Sequence, residues 1–469
     1  MFSLLADANP YIPAPSFLNS GDTAWQLTAA TFVGMQSIPG LAILYAGLVK
    51  KKWALNSAVM CFYAFSIVLL CWVLWGYNMG FGSPATLGPG ILSQFVGIPH
   101  PAIDAIGETG QAAIPLAGTG FPPLRFAGSA MIYFQFVFAA ITPILIAGSV
   151  LGRMNFKAWM LFVPLWSSLV YTVGAFMLWG GGWLAAMGAV DYSGGYVIHL
   201  AAGVSGFVAA AMVGPRLLQD RTSFDPNNLI VALAGAGLLW LGWNGFNGGD
   251  PYFANADAAA AVLNTNIATA VALLVWLVFD MFALGKPSAV SMINGMIVGL
   301  VAITPAAGYV DGYGAIATGG LAAIVVWFSL NKVGQLALFK KVDDTFGVLH
   351  THGVAGLMGG LCVGLFANPN MLEYLSSDKK TSPVSVQGLF FGNPKQLWIQ
   401  FLAALVIIVW NMIGTAIVLK IVSFVFPLRA SDGDVEGGDL AIHGIDPVPV
   451  YIPAGPGSPT PPTPVAPGV

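Results

Sequence analysis

The chain has 469 residues, 57% of them hydrophobic and only 8% charged, with a mean hydropathy of +0.78. An ordinary soluble domain carries about a quarter charged residues, so this composition excludes one. The formal net charge of −3 says little by itself, and nothing in it points to a nucleic-acid partner.

Apolar runs of about 20 residues recur, each long enough to cross a hydrocarbon core of about 30 Å. They are too long, and alternate too little, for barrel strands, so the fold class is an all-α polytopic membrane protein in a lipid bilayer. Residues 1–24 read as a short external lead-in without the basic leader or apolar core of a signal peptide. Spans follow at about 25–48, 54–81, 125–150, 156–179, 195–214, 228–247, 258–284, 289–306, 312–331, 346–367 and 397–426. That makes eleven transmembrane helices. The connections 82–124 and 368–396 read as external loops, and neither looks like a separate domain. Residues 427–469 form a tail that turns acidic and then proline-rich, with no catalytic motif and an end whose composition favours disorder.

Placing the N-terminus outside leaves 13 of the 17 basic residues on the cytoplasmic side, and only Arg125, Lys379, Lys380 and Lys395 outside. This positive-inside bias predicts the N-terminus out and the C-terminus in; the expected location is the cell (plasma) membrane. Cys61, Cys71 and Cys362 all fall within apolar spans, where a thiol behaves as a small hydrophobe. No disulfide framework, metal motif or cofactor is indicated.

Two stretches repeat each other. In "DYSGGYVIHLAAGVSG" (191–206) Asp191 precedes His199 by eight residues, and in "DTFGVLHTHGVAGLMGG" (344–360) Asp344 precedes His352 by eight. Each histidine opens H-x3-G-x2-G, at Gly203 and Gly206 and at Gly356 and Gly359. Five spans separate the two stretches, so their helices run in opposite directions, as a 5+5 inverted repeat requires. The halves fall at about 25–214 and 228–367, with 397–426 as an extra helix. The repeat predicts that the histidines meet near the midplane, where the small residues let their helices approach closely. Depth is the difficulty: a helix starting at the surface near Gly195 would bury His199 only about 6 Å, so its start must dip inward. The favoured role for Asp191 and Asp344 is to cap those helix starts.

With these residues in register, the chain resembles the ammonium transporter (Amt/Mep/Rh) family. The likeness extends through "FQFVFAAITP" (134–143), "LWGGGWL" (178–184), "GWNGFNGGD" (242–250) and "DDTFGVLHTHGVAG" (343–356). It implies a transporter and not an enzyme: an eleven-helix homotrimer that recruits ammonium outside, deprotonates it and conducts ammonia through an apolar pore. By resemblance, Phe138 and Phe246 are the stacked pair closing the pore, Trp179 and Phe134 belong to the external vestibule, Trp243 lines the pore, and His199 and His352 are the twin histidines. Asp191 matches the buried acid that shapes the recruitment site. The tail "EGGDLAIHG" (436–444) is similar to the segment that meets a cytosolic regulatory protein, with an extra Gly and a less acidic ending.

Two positions depart from the common pattern. Asp250 stands where many members have Ser, within a plant-type "GFNGGDPY"; it either attracts the cation or caps the following segment. His350 lies two residues before His352, and at helical spacing it turns about 200° away, toward a neighbouring helix. The residue types suit the chemistry. Aromatic faces attract a cation by about 0.5 to 2 kcal/mol, which does not exclude potassium, but only ammonium can surrender a proton and continue as a neutral molecule. Facing imidazoles can line up ammonia or carry the proton; transport with or without the proton stays open. Two intramembrane histidines also suit a haem-binding redox subunit, and His199, His350 and His352 a transition-metal transporter. A sensor of the same family would carry a large signalling domain after the last span, which this sequence does not contain.

Overall fold

The computed structural model describes residues 15–84, 90–115, 123–223, 225–371 and 386–445. Among the described residues, ten helices are long and apolar enough to cross a membrane: α1 (Ser20–Leu48), α2 (Lys51–Phe81), α3 (Gly128–Val150), α4 (Phe156–Ala186), α5 (Gly195–Val213), α6 (Leu229–Gly248), α7 (Ala256–Leu284), α9 (Gly312–Asn331), α10 (Leu349–Phe366) and α11 (Pro394–Ser423). The eleventh apolar segment, α8 (Ala289–Ile303), is shorter. No strand occurs among the described residues. Polar caps set the starts: Asn19, Asn155, Asn228, Asn255 and Asp311 each accept backbone N–H bonds at the first turns of α1, α4, α6, α7 and α9.

The inverted repeat is visible in packing. His199 and His352 are 153 residues apart, and the same offset relates their surroundings. Gly194 and Gly347, just before α5 and α10, hold φ of 109° and 66°, a left-handed turn that a Cβ would disfavour. A Cβ on Gly203 would collide with the backbone of Gly353 and come within 3.1 Å of the Val348 carbonyl, and one on Gly356 would collide with the Gly195 carbonyl and come within 3.0 Å of the Leu200 nitrogen. These are the same contacts exchanged between halves. Gly206 lies against Ser149 of α3 and Gly359 against Ala302 of α8, again one offset apart. Both α5 and α10 begin with a π-helical turn, at Gly195–Leu200 and Leu349–Val354.

The ends of α1, α3, α5, α7 and α9 share one face with the chain's C-terminal segment, called here the tail face. Arg153, in the α3–α4 turn, is fully buried there. Its guanidinium donates to the carbonyls of Ser149 (2.8 Å), Gly214 (2.9 Å) and Asp343 and to the Thr345 hydroxyl (2.6 Å). It therefore ties α3, the end of α5 and the α9–α10 connection into one block. Burial pulls this guanidinium down to about 10, with Asp343 opposing, so it stays cationic at neutral pH. The Asp343 carboxylate meets Arg216 at 2.7 Å.

The tail is folded as far as it is described. Two short helices, α12 (Asp432–Gly437) and α13 (Asp439–His443), dock on the start of α2. Asp439 accepts from the Leu55 and Asn56 nitrogens, both at 2.8 Å, and His443 Nε2 lies 3.1 Å from Asn56 Oδ1. The proline-rich end at 446–469 and the basic pair Lys379 and Lys380 lie outside the described residues.

The tail-face block carries a pH prediction. Burial pushes the Asp343 carboxyl up, but the Arg216 hydrogen bond and charge outweigh it and hold it at about 2 against an ordinary 3.8. A depressed carboxylate stabilises the fold above its ordinary value and loses that contribution as pH falls toward its folded one. Thermal unfolding in detergent should therefore weaken between pH 4 and pH 2, and Asp343→Asn should lower the midpoint at neutral pH and flatten that slope.

Candidate functional site

The start of α5 lies inside the protein, not at its surface. Asp191 and His199 are 4% and 0% exposed, so protein encloses the helix start on every side. What makes this tolerable is Asp191. Its two oxygens accept from the nitrogens of Gly194 (3.1 Å), Gly195 (2.6 Å), Tyr196 (2.9 Å) and Val197 (2.9 Å), all four orphan donors of the helix start. Asp344 plays the corresponding part at α10, accepting from Leu349 at 2.9 Å. The capping reading of both acids matches this geometry. With its carboxylate filled, Asp191 meets the neighbouring aromatic through its backbone: its carbonyl accepts from Trp179 Nε1 at 2.7 Å.

From Trp179 a line of rings runs inward. Trp179 lies 6.4 Å from Phe138, Phe138 4.5 Å from Phe246, Phe246 5.8 Å from His199, and His199 5.4 Å from His352, centroid to centroid. Trp243 stacks on both Phe246 (4.9 Å) and His199 (5.3 Å), and its Nε1 donates to Thr304 Oγ1 at 2.8 Å. Phe134 packs edge-on against Phe138 at 4.8 Å. All nine of the singled-out residues except Asp250 belong to this line or border it. One detail departs from the resemblance: Phe138 and Phe246 meet at 60°, not as parallel plates, because edge-to-face contact suits the ring quadrupoles. It is Phe246 that lies near-parallel to Trp243 and His199.

The histidines face each other with Nδ1 atoms 3.3 Å apart, and His199 Nε2 is buried without a hydrogen-bond partner. The line is shut on one side and open on the other. Phe246 and His199 have no exposed surface, whereas His352 lines a cavity of about 350 Å³ that extends to the tail face. A 3.3 Å gap between nitrogens does not admit an iron with two bonds of about 2 Å each, which disfavours the haem reading. Among the described residues no group of three His, Cys, Asp or Glu stands close enough to hold a metal ion.

Asp250 sits in the α6–α7 connection. The capping alternative fails there, because Asn255, not Asp250, caps α7. Ser193 and Tyr252 lie beside its carboxyl, and its Oδ2 is buried with no hydrogen-bond partner. His350 does turn to a neighbouring helix, with Nδ1 2.8 Å from Ser329 Oγ of α9, yet it also lines the tail-side cavity.

A family model described as the ammonium transporter family matches residues 24–446. The chain belongs to that family. It is 51% identical over 440 residues to ammonium transporter 2 of Arabidopsis thaliana, covering 93% of this chain and 90% of that protein. It is 50% identical over 449 residues to ammonium transporter 3 member 1 of Oryza sativa subsp. japonica, covering 92% and 88%. Its fold is similar to the crystal structure of Saccharomyces cerevisiae Mep2, with a TM-score of 0.76 and 28% identity over 89% of each chain. The activity of this transporter is therefore ammonium transport across a membrane, and no enzymatic step is required of it.

Sequence reasoning passed over several residues around this transporter's ring line. Phe81 stacks on Trp179 at 6.3 Å, and Tyr252, which holds a φ of 62°, lies 6.1 Å from Phe134 and accepts from Gln135 Nε2 at 3.1 Å. Ser193 Oγ donates to the Phe246 carbonyl at 2.8 Å. Ser193 stands two residues after Asp191 and Tyr252 two after Asp250, so proximity to an intramembrane acid was the available signal.

The two acids should respond differently to mutation. Asp191→Ala leaves four buried N–H groups unpaired, each costing about 1–3 kcal/mol, and should abolish folded yield. Asp250→Asn removes no cap, so its size-exclusion profile and unfolding midpoint should stay close to those of the parent protein.

Proposed function

We propose that this chain is a plasma-membrane ammonium transporter, assembled as a homotrimer, with the N-terminus outside and the tail face in the cytosol. Ammonium is recruited at Trp179, Phe134 and Asp250, loses its proton there, passes the Phe138–Phe246 gate as ammonia, and follows the pore lined by Trp243, His199 and His352 to the tail-side cavity. Asp191 shapes the recruitment site by fixing the start of α5 and orienting Trp179. The observation that carries this reading is the facing pair of buried imidazoles at the end of a continuous line of aromatic rings.

The physical case is selective desolvation. A cation at bilayer depth costs at least roughly 2.5 kcal/mol, and the ring line meets it with the packed faces and edges of aromatic side chains. Potassium cannot shed its charge, whereas ammonium can. A neutral imidazole presents one donor and one acceptor, so the pair can bind ammonia from either side without fixing an ion. Asp250, with a buried and unpartnered oxygen, draws the cation to the outer mouth. The exposed faces of α12 and α13, which include Leu440 at 62%, give a cytosolic regulatory protein a surface to meet.

Uptake and current measured together in proteoliposomes test this. His199→Asp combined with His352→Ala should keep a folded trimer and lose proton-coupled transport; parent-like currents in the double mutant would remove the pair from the mechanism. Phe246→Ala should abolish or uncouple transport.

Asp250→Ser tests the recruitment site separately. Even a contact screened as in bulk water is worth about 1 kcal/mol, or roughly fivefold in occupancy, and burial of the oxygen can only raise it. The half-saturating ammonium concentration should rise several-fold with maximal flux nearly intact, and an unchanged value in folded protein would show that Asp250 does not meet the cation.

A further inference from the structure

We propose that His350 is the group through which the proton of the twin-histidine pair reaches the tail-side solution. This rests on the pore reading above and adds to it a route and a carrier. A proton on His352 faces a buried partner, His199, on one side and the tail-side cavity on the other. That cavity, about 350 Å³, is lined by both His352 and His350, together with Asp344, Tyr45 and Thr351. A cavity needs only about 10–15 Å³ to hold one water, so it has room for a short water chain between the two rings.

The setting of His350 is that of a proton carrier. It is 8% exposed and lies within a membrane helix, where an ionisable residue ordinarily faces a water-filled cavity or a proton path. Its Nδ1 is held by Ser329 Oγ at 2.8 Å. A serine hydroxyl both donates and accepts. It can donate to Nδ1 of a neutral ring and accept from Nδ1–H of a charged one, so the ring keeps its partner and its position in both protonation states. The other nitrogen, Nε2, points over Gly334, in the Val333–Gln335 turn at the tail face, where an added Cβ would lie 3.1 Å away. One nitrogen anchors the ring and the other reaches toward the exit.

The transfer balances without any redox step. The His352 imidazolium gives its N–H proton to a cavity water, that water gives a proton to His350 Nε2, and the ring then releases its proton to water at the mouth. Only N–H and O–H bonds form and break, and both rings end neutral.

Currents on a supported membrane after an ammonium jump test this with the full-length protein in proteoliposomes. A positioned proton-transfer group contributes roughly a hundredfold or more, but water in the cavity offers a parallel path, so His350→Gln should lower the current about tenfold. His350→Glu, which can still carry a proton, should recover part of it, and Ser329→Ala should fall between Gln and the parent protein. All variants are compared at equal folded amounts, by size-exclusion profile and unfolding midpoint. A parent-like current in His350→Gln overturns the proposal, as does equal loss in Gln and Glu, which would make His350 a packing residue. If His350→Gln does not fold, the Ser329→Ala current decides: a parent-like value overturns the proposal and a reduced one supports it. The absence of any current in the parent protein, with uptake intact, would overturn the relay while leaving ammonia conduction standing; absent uptake would overturn the pore reading itself.

Discussion

Two imidazoles meeting at the centre of an apolar bundle is the constraint on which the rest of this structure depends. For rings from different helices to reach 5.4 Å, both helices must begin well inside the protein, and their backbones must cross almost in contact. The first demand leaves helix-start N–H groups unpaired where no water can reach them. Asp191 and Asp344 answer it, Asp191 with four backbone donors on its two oxygens. The second demand is met by Gly203 and Gly356, each of which lies against the other half of the repeat where a Cβ would collide. Acid, glycine and histidine at fixed spacing are thus one device, used twice in opposite orientations.

The same device explains why the site can be both dry and polar. Capping occupies the Asp191 carboxylate locally, so what runs beside it is the ring line of Trp179, Phe138, Phe246 and Trp243 rather than an open carboxylate. Among the buried polar atoms without a hydrogen-bond partner are His199 Nε2 and Asp250 Oδ2. Unsatisfied buried groups are costly, and under the proposed function substrate supplies the missing bond at these two.

The tail face gives the device its footing. Arg153 binds the end of α3, the end of α5 and the connection that leads into Asp344, while its own carbonyl receives the Ala430 nitrogen of the tail at 2.9 Å. The tail, the α10 cap and the cavity containing His350 and His352 are therefore mechanically adjacent. This block was not legible in the sequence, because Arg153, Arg216 and Asp343 are far apart in the chain and carry no shared pattern.

What the sequence by itself determined was whatever is written in local periodicity and repetition. Hydropathy located the apolar helices, ten of them long enough among the described residues to cross a membrane and α8 shorter, since the cost of exposing a backbone to lipid permits little else. The twin H-x3-G-x2-G stretches announced the inverted repeat, and the preceding acids announced the caps. Only the tertiary structure decided the matters that turn on which side chain reaches which atom. It removed Asp250 from capping by giving that role to Asn255, set Phe138 and Phe246 edge to face, brought Ser193 and Tyr252 beside Asp250, and turned His350 to Ser329 while leaving it on the cavity. These outcomes depend on contacts between residues remote in sequence, and such contacts exist only once the helices have packed.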